Sequence, residues 1–159
     1  GANLTNLPAS GRDGTPGFSV TDSDGTTLTS GSWTAMTWDT EVWDSDSAFA
    51  SSEFTVPSSE DGKYHISYSI NINDLDDQEQ LQAAVYKDTG SGYAEVPASR
   101  IYMRSPQNGI EIGIAWSGVL DLDAGDKLKV YVYHNEGANN NIKSDGGTYK
   151  ASFSGYRVN

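Results

Sequence analysis

The chain carries few groups able to do covalent chemistry. Its 159 residues include two histidines, His65 and His134, and no cysteine. Thiolate nucleophiles, thiolate metal sites and disulfides are therefore excluded. A nucleophilic serine would need one histidine as its base, and His65 is followed at alternate positions by Ser67 and Ser69. In an extended strand all three point the same way. No nucleophile-elbow motif surrounds either serine, so the expectation is a chain that is not an enzyme.

Carboxylates are plentiful and clustered: Asp44 with Asp46, Asp74, Asp76 and Asp77 with Glu79, and Asp121 and Asp123 with Asp126. A glycosidase needs two carboxyls at a set separation across a cleft. Nothing in these spacings shows such convergence. Hard oxygen ligands on a loop suit calcium better, and the loop carrying Asp74, Asp76, Asp77 and Glu79 is the best candidate for it. No cofactor is required by any motif. Asp22-Ser23-Asp24-Gly25 opens like an EF-hand loop but lacks the later acidic ligands, and it reads as a plain turn. For binding, amides and carboxylates near an aromatic ring suit sugar hydroxyls and ring faces. Asn139, Asn140 and Asn141 in the polar loop 135–147 offer this, as do Asp88 and Tyr93 around a Gly-rich turn.

The elements that would position these groups are strands. Tyr64, Ile66, Tyr68, Ile70 and Ile72 alternate with His65, Ser67, Ser69 and Asn71, which is the period of a half-buried strand. Leu81, Ala83 and Val85 alternate likewise. So do Leu128, Val130 and Val132 against Lys127, Lys129, Tyr131 and Tyr133. Turn signals separate eight to ten such segments, and no segment has a helical period of useful length. The fold class is therefore all-β, with a β-sandwich or a jelly roll of antiparallel sheets as the expected architecture. Residues 1–32 are polar, with few apolar anchors, and read as an N-terminal arm with one short strand near Phe18–Val20. Residues 33–159 read as the folded domain. The formal net charge of −12 argues against nucleic-acid partners, which need clustered Lys and Arg. No run of eighteen apolar residues is present, so membrane insertion is not expected.

Four blocks, in order, carry a resemblance to a known family. Trp38-Asp39-Thr40-Glu41-Val42 precedes Phe54-Thr55-Val56-Pro57 and Gly62-Lys63-Tyr64-His65-Ile66-Ser67-Tyr68. Leu120-Asp121-Leu122 with Gly125-Asp126 and Leu128 follows, then Ser152-Phe153-Ser154-Gly155-Tyr156-Arg157-Val158. Together they resemble C1q-like globular heads of the C1q/TNF type. Ile66 stands where the family usually has an aromatic. The resemblance implies a ten-stranded jelly roll that assembles as a compact homotrimer and works as a non-enzymatic binding head. It implies that the sheet holding His65 and Ser67 faces the trimer axis, with Lys129, Tyr131 and Tyr133 joining that interface. Some such trimers carry calcium near the apex. The lack of cysteine and the richness in Asn, Ser and Asp resemble the heads of phage tail fibres more than animal complement proteins. The expected setting is thus a virion surface, with a host glycan or protein as ligand and other virion proteins docked through the N-terminal arm. The alternatives are a capsid-decorating or head-fibre protein, and a polysaccharide depolymerase.

Overall fold

The computed structural model describes residues 15–144 and 150–158. Their strands, in chain order, are β1 (Gly17–Asp22), β2 (Thr27–Leu28), β3 (Thr34–Ala35), β4 (Thr40–Asp44), β5 (Phe49–Ala50), β6 (Glu53–Thr55) and β7 (Gly62–Leu75). There follow β8 (Gln80–Asp88), β9 (Tyr93–Glu95), β10 (Ile101–Arg104), β11 (Ile110–Leu122), β12 (Lys127–His134), β13 (Asn140–Asn141) and β14 (Ala151–Val158). No helix occurs among the described residues.

Two antiparallel sheets pack face to face. The front sheet has five strands in the order β11-β7-β14-β1-β4. The back sheet has seven; its main path is β10-β8-β12-β6-β5, with β3 on β12 and β9 on β8. This is the antiparallel sandwich expected from the period of two, and the jelly roll implied by the family resemblance. β7 shows the rule most clearly, burying Tyr64, Ile66, Tyr68, Ile70 and Ile72 while the intervening residues stay half-exposed. Leu81, Ala83 and Val85 face it from β8, and Leu128, Val130 and Val132 from β12. Each large side chain so buried contributes roughly 1.5–3 kcal/mol, before the entropy of ordering it. The phenylalanines fill one end of the core. Phe18 stacks on Phe54 at 4.6 Å and meets Phe153 edge-on at 4.9 Å.

The domain begins earlier than the sequence pattern indicated. β1 lies inside the front sheet, paired to β14 on one side and β4 on the other. Phe18 and Leu28 are fully buried. The boundary expected at residue 33 is therefore corrected, and residues 17–32 belong to the sandwich. The cause is that two or three deep anchors are enough to seat a strand between two others, even in a Gly- and Ser-rich stretch. Asp22 closes the turn after β1, accepting hydrogen bonds from the Gly25 and Thr26 amides at 2.7 Å each. The part of the expected arm over residues 1–14 lies outside the described residues.

Two glycines have definite reasons. Gly125, at φ +91°, makes the turn into β12, where the neighbouring Asp126 accepts from the Asp123 amide. Gly155 lets β1 and β7 side chains close over β14: a Cβ there would stand 2.5 Å from Ile66 and 2.9 Å from Phe18.

A polar link crosses the core. The Tyr68 hydroxyl, on β7, lies 2.7 Å from both the Ala83 and Ser99 carbonyls of the opposite layer. Burial pushes this hydroxyl's pKa well up, because a phenolate there would lose its hydration. The buried Ser99 hydroxyl in turn receives the Val85 amide at 3.0 Å. Tyr68→Phe keeps the ring and removes the shared donor. It should lower unfolding free energy by about 1–3 kcal/mol in urea denaturation, with the slope against denaturant unchanged.

Candidate functional site

The alternation that fills the core also generates two broad outer faces, one on each sheet, and the predicted residues divide between them. On the front sheet His65 and Ser67 point outward, as expected. Their cross-strand rows can be read from the register. Thr21, Ser152, Ser69 and Ala115 form one row; Trp43, Ser19, Ser154, Ser67 and Ser117 form the next; Gly17, Tyr156, His65 and Val119 form a third. None of these residues is acidic, and none is Lys or Arg. The serines make a flat centre, with Ser67 and Ser154 hydroxyls 2.9 Å apart. A shallow depression runs over Ser67, Ser69, Ala115, Ser117 and Ser152. Around it stand exposed apolar groups: Trp43, Val119, Tyr156 and Val158. The Tyr156 ring packs beside His65 at 5.1 Å.

Lys129, Tyr131 and Tyr133 do not join this face. They are outward alternates of β12, on the back sheet, so the core separates them from His65. That expectation is corrected. The period of two correctly puts them outside, but it does not specify which sheet a strand enters. On the back sheet they meet residues that carried no site assignment in the sequence. Tyr131 packs on Tyr86 with ring centres 4.5 Å apart, and Tyr133 packs on Trp33 at 5.7 Å. Trp33 also reaches Tyr86 at 6.0 Å, and the Arg100 guanidinium lies over its ring at 4.7 Å. Tyr86 was legible as a polar-side alternate of β8. Trp33 was not, because it precedes a two-residue strand too short to show a period.

The loop candidates do not form one site. Asp88 and Tyr93 flank the β8–β9 hairpin at the Lys127 end of β12, whereas Asn139–Asn141 lie beyond its His134 end. Asp88 is used within its own turn, accepting from the Gly90 and Gly92 amides at 2.7 and 2.8 Å. These bonds hold its carboxyl below the usual range. Tyr93 is engaged on the back face: its hydroxyl donates to Glu53, and Lys129 lies 5.2 Å from its ring centre. Asn140 is also committed, donating to the Asn73 carbonyl at 2.7 Å and to Glu136. Asn139 and Asn141 are exposed, and β13 is pinned to β2.

The acidic loop does not assemble as a calcium cage. Asp74, Asp76 and Asp77 are exposed, and no three His, Cys, Asp or Glu among the described residues stand close enough to share an ion. Its turn is closed by backbone bonds instead, such as Glu79 N–H to the Asp76 carbonyl at 3.0 Å. The two histidines show no triad. His65 has Tyr156 as its ring neighbour, and the buried His134 uses both ring nitrogens on backbone groups, donating to the Leu28 carbonyl and accepting from the Glu136 amide.

No protein-family model matches the sequence, and no curated protein does. Solved structures match it in shape. The globular domain of zebrafish complement 1qA protein has a TM-score of 0.64 at 16% identity, over 91% of this chain and 98% of that one. Murine APRIL has a TM-score of 0.66 at 14% identity, over 89% and 98%. The fold is a C1q/TNF-type jelly roll. No helix among the described residues is long and apolar enough to cross a membrane.

Glu53 ties the back face together, pairing with Lys127 at 3.0 Å and Lys129 at 3.5 Å besides Tyr93. Burial alone would raise its pKa, but the Tyr93 hydroxyl and the two lysines outweigh that and lower it. A carboxyl depressed in the folded state stabilises above its unfolded pKa, and that stability is lost as pH falls through the folded value. Glu53→Gln should therefore cost about 1–2 kcal/mol at pH 7. The deficit relative to the parent should shrink as chemical denaturation is repeated below pH 4.5.

Proposed function

We propose that this domain is a non-enzymatic binding head that assembles as a homotrimer through the outer face of its front sheet. We place it on a phage virion, as the receptor-binding tip of a tail fibre. The observation that carries the assembly is the absence of charge from three consecutive cross-strand rows. The chain has 22 acidic residues and a net charge of −12. Copies of so acidic a chain repel wherever their charged surfaces meet. An exposed face without that charge, flat with serines and flanked by Trp43, Val119 and Tyr156, is where such copies can approach. Small side chains permit close packing at a symmetry axis, and exposed Tyr and Trp supply contact area with polar tips.

The binding role is supported by the C1q-type fold and by loops and a second face left open when the front sheet is covered. The virion setting is supported by composition alone: no cysteine, and abundant Asn, Ser and Asp. In this reading the chain before β1 provides attachment to other virion proteins.

Light scattering of the intact chain at micromolar concentration should give three times the monomer mass; a monomer would overturn the assembly. Val119→Asp combined with Tyr156→Asp should yield monomers while far-UV circular dichroism stays unchanged, since both side chains are exposed. Antibody labelling of virions should place the chain at fibre tips, and labelling confined to the capsid would move it to a decorating role.

A further inference from the structure

The back face departs from what an outer sheet surface usually holds. Five of the chain's nine tyrosines and one of its four tryptophans stand on it: Tyr86, Tyr93, Tyr102, Tyr131, Tyr133 and Trp33. None of the four phenylalanines does; Phe18, Phe54 and Phe153 are buried and Phe49 packs on the core. The back face thus takes only rings with polar tips, although Tyr64, Tyr68 and Trp38 share the core with the phenylalanines. The outward alternates of β8 and β12 hold no Leu, Ile, Val or Met either, their only apolar member being the small, buried Ala84. Rings and hydroxyls stand together here, three of the rings with a cation over one face, and aliphatic knobs are missing.

The rings form a continuous strip. Tyr133, Trp33, Tyr86, Tyr131 and Tyr93 follow one another at 4.5–6.2 Å between centres. Tyr102 extends it sideways, opposite Gln82, which itself lies opposite Tyr133. The strip runs along β12 from Tyr133 to the Lys127 end, roughly 20 Å at the ordinary rise per residue. It is held rigid. Glu53 ties Lys127, Lys129 and Tyr93, while Glu95 ties Arg100, which lies over Trp33. A surface fixed before the ligand arrives loses little entropy on binding. Charge is balanced here despite the acidic chain, with Arg100, Arg104, Lys127 and Lys129 against Glu53, Asp88 and Glu95.

We propose that this strip is a binding platform for a linear oligosaccharide. The inference rests on the reading of the domain as a binding head and names its ligand class. Pyranose rings present C–H faces that lie on aromatic rings, and hydroxyl edges that pair with carboxylates, amides and guanidinium groups. Gln82, Glu95 and Arg100, tied to one another, form the polar edge of the strip together with the hydroxyls of Tyr86, Tyr102, Tyr131 and Tyr133. Its length accepts several sugar units in a row, and its balanced charge repels neither neutral nor acidic chains.

The test uses the full chain on an array of linear bacterial surface saccharides of four to eight sugars, neutral and acidic. Binding to at least one class is expected. Trp33→Ala and Tyr131→Ala should each weaken it about tenfold or more, with Trp33→Phe retaining most of it. Tyr102→Ala, at a side chain 48% exposed, should fold normally and also weaken binding. No binding anywhere on the array, binding only to a glycan-free host protein, or full binding by the Trp33→Ala and Tyr102→Ala variants would each overturn the platform. The assembly is read separately: a monomer that binds saccharide removes the homotrimer and keeps the platform, and a trimer that binds none does the reverse.

Discussion

The arrangement of this molecule depends on how its two sheets are fixed against each other, and the Tyr68 hydroxyl is a directional contact that does so deep in the core. Apolar packing holds the sheets together but is tolerant of small slides. A hydroxyl buried between the Ala83 and Ser99 carbonyls is not, because a slide would take its proton away from both acceptors and leave a buried donor unpaired. Tyr68 belongs to the same strand as His65 and Ser67. Ala83 belongs to the same strand as Gln82 and Tyr86. The contact that fixes the core therefore also fixes the relation between the uncharged front face and the aromatic back face.

Charge is partitioned to match. The acidic residues gather in turns and at strand ends: Asp22 and Asp39 near the first turn, Asp74 to Glu79 after β7, Asp121 to Asp126 before β12. Several are consumed locally. Asp39 shows the balance of forces plainly. Burial would raise its carboxyl, yet hydrogen bonds from Ser23, Thr40 and Asp24 bring it down to about 2. Used this way, carboxylates shape loops and keep the chain soluble, leaving the two broad faces for contact.

The strong strands were legible because period-two burial is written directly in residue types. β7, β8 and β12 could be read with their inward sides correct, as could the Gly125-Asp126 turn. β1 was legible only as a short strand in a supposed arm, since Phe18 and Val20 alone mark a strand whose neighbours supply most of its burial. Sheet membership was not legible at all from periodicity. A pattern says that Tyr131 points away from the core, not which of two outer faces it joins. The calcium loop shows a related limit: closeness in sequence put four acidic groups on one stretch, but Asp74, Asp76 and Asp77 are exposed and no three acidic groups among the described residues stand close enough to share an ion. The aromatic strip needs side chains from β8, β9, β10, β12 and the segment before β3, and only the fold brings those together.

The alternating strands have a consequence for how such a protein can change over time. On β8 and β12, each residue facing the core has outward neighbours in sequence, and the two sets answer to different demands. Leu81, Val85, Leu128 and Val132 are constrained by packing, whereas Gln82, Tyr86, Lys129 and Tyr131 meet the surroundings. The outward set can drift under pressure for a new ligand while the inward set keeps the sandwich closed. A scaffold divided in this way can share its shape with zebrafish and mouse domains at 16% and 14% identity and still present its own chemistry to the outside.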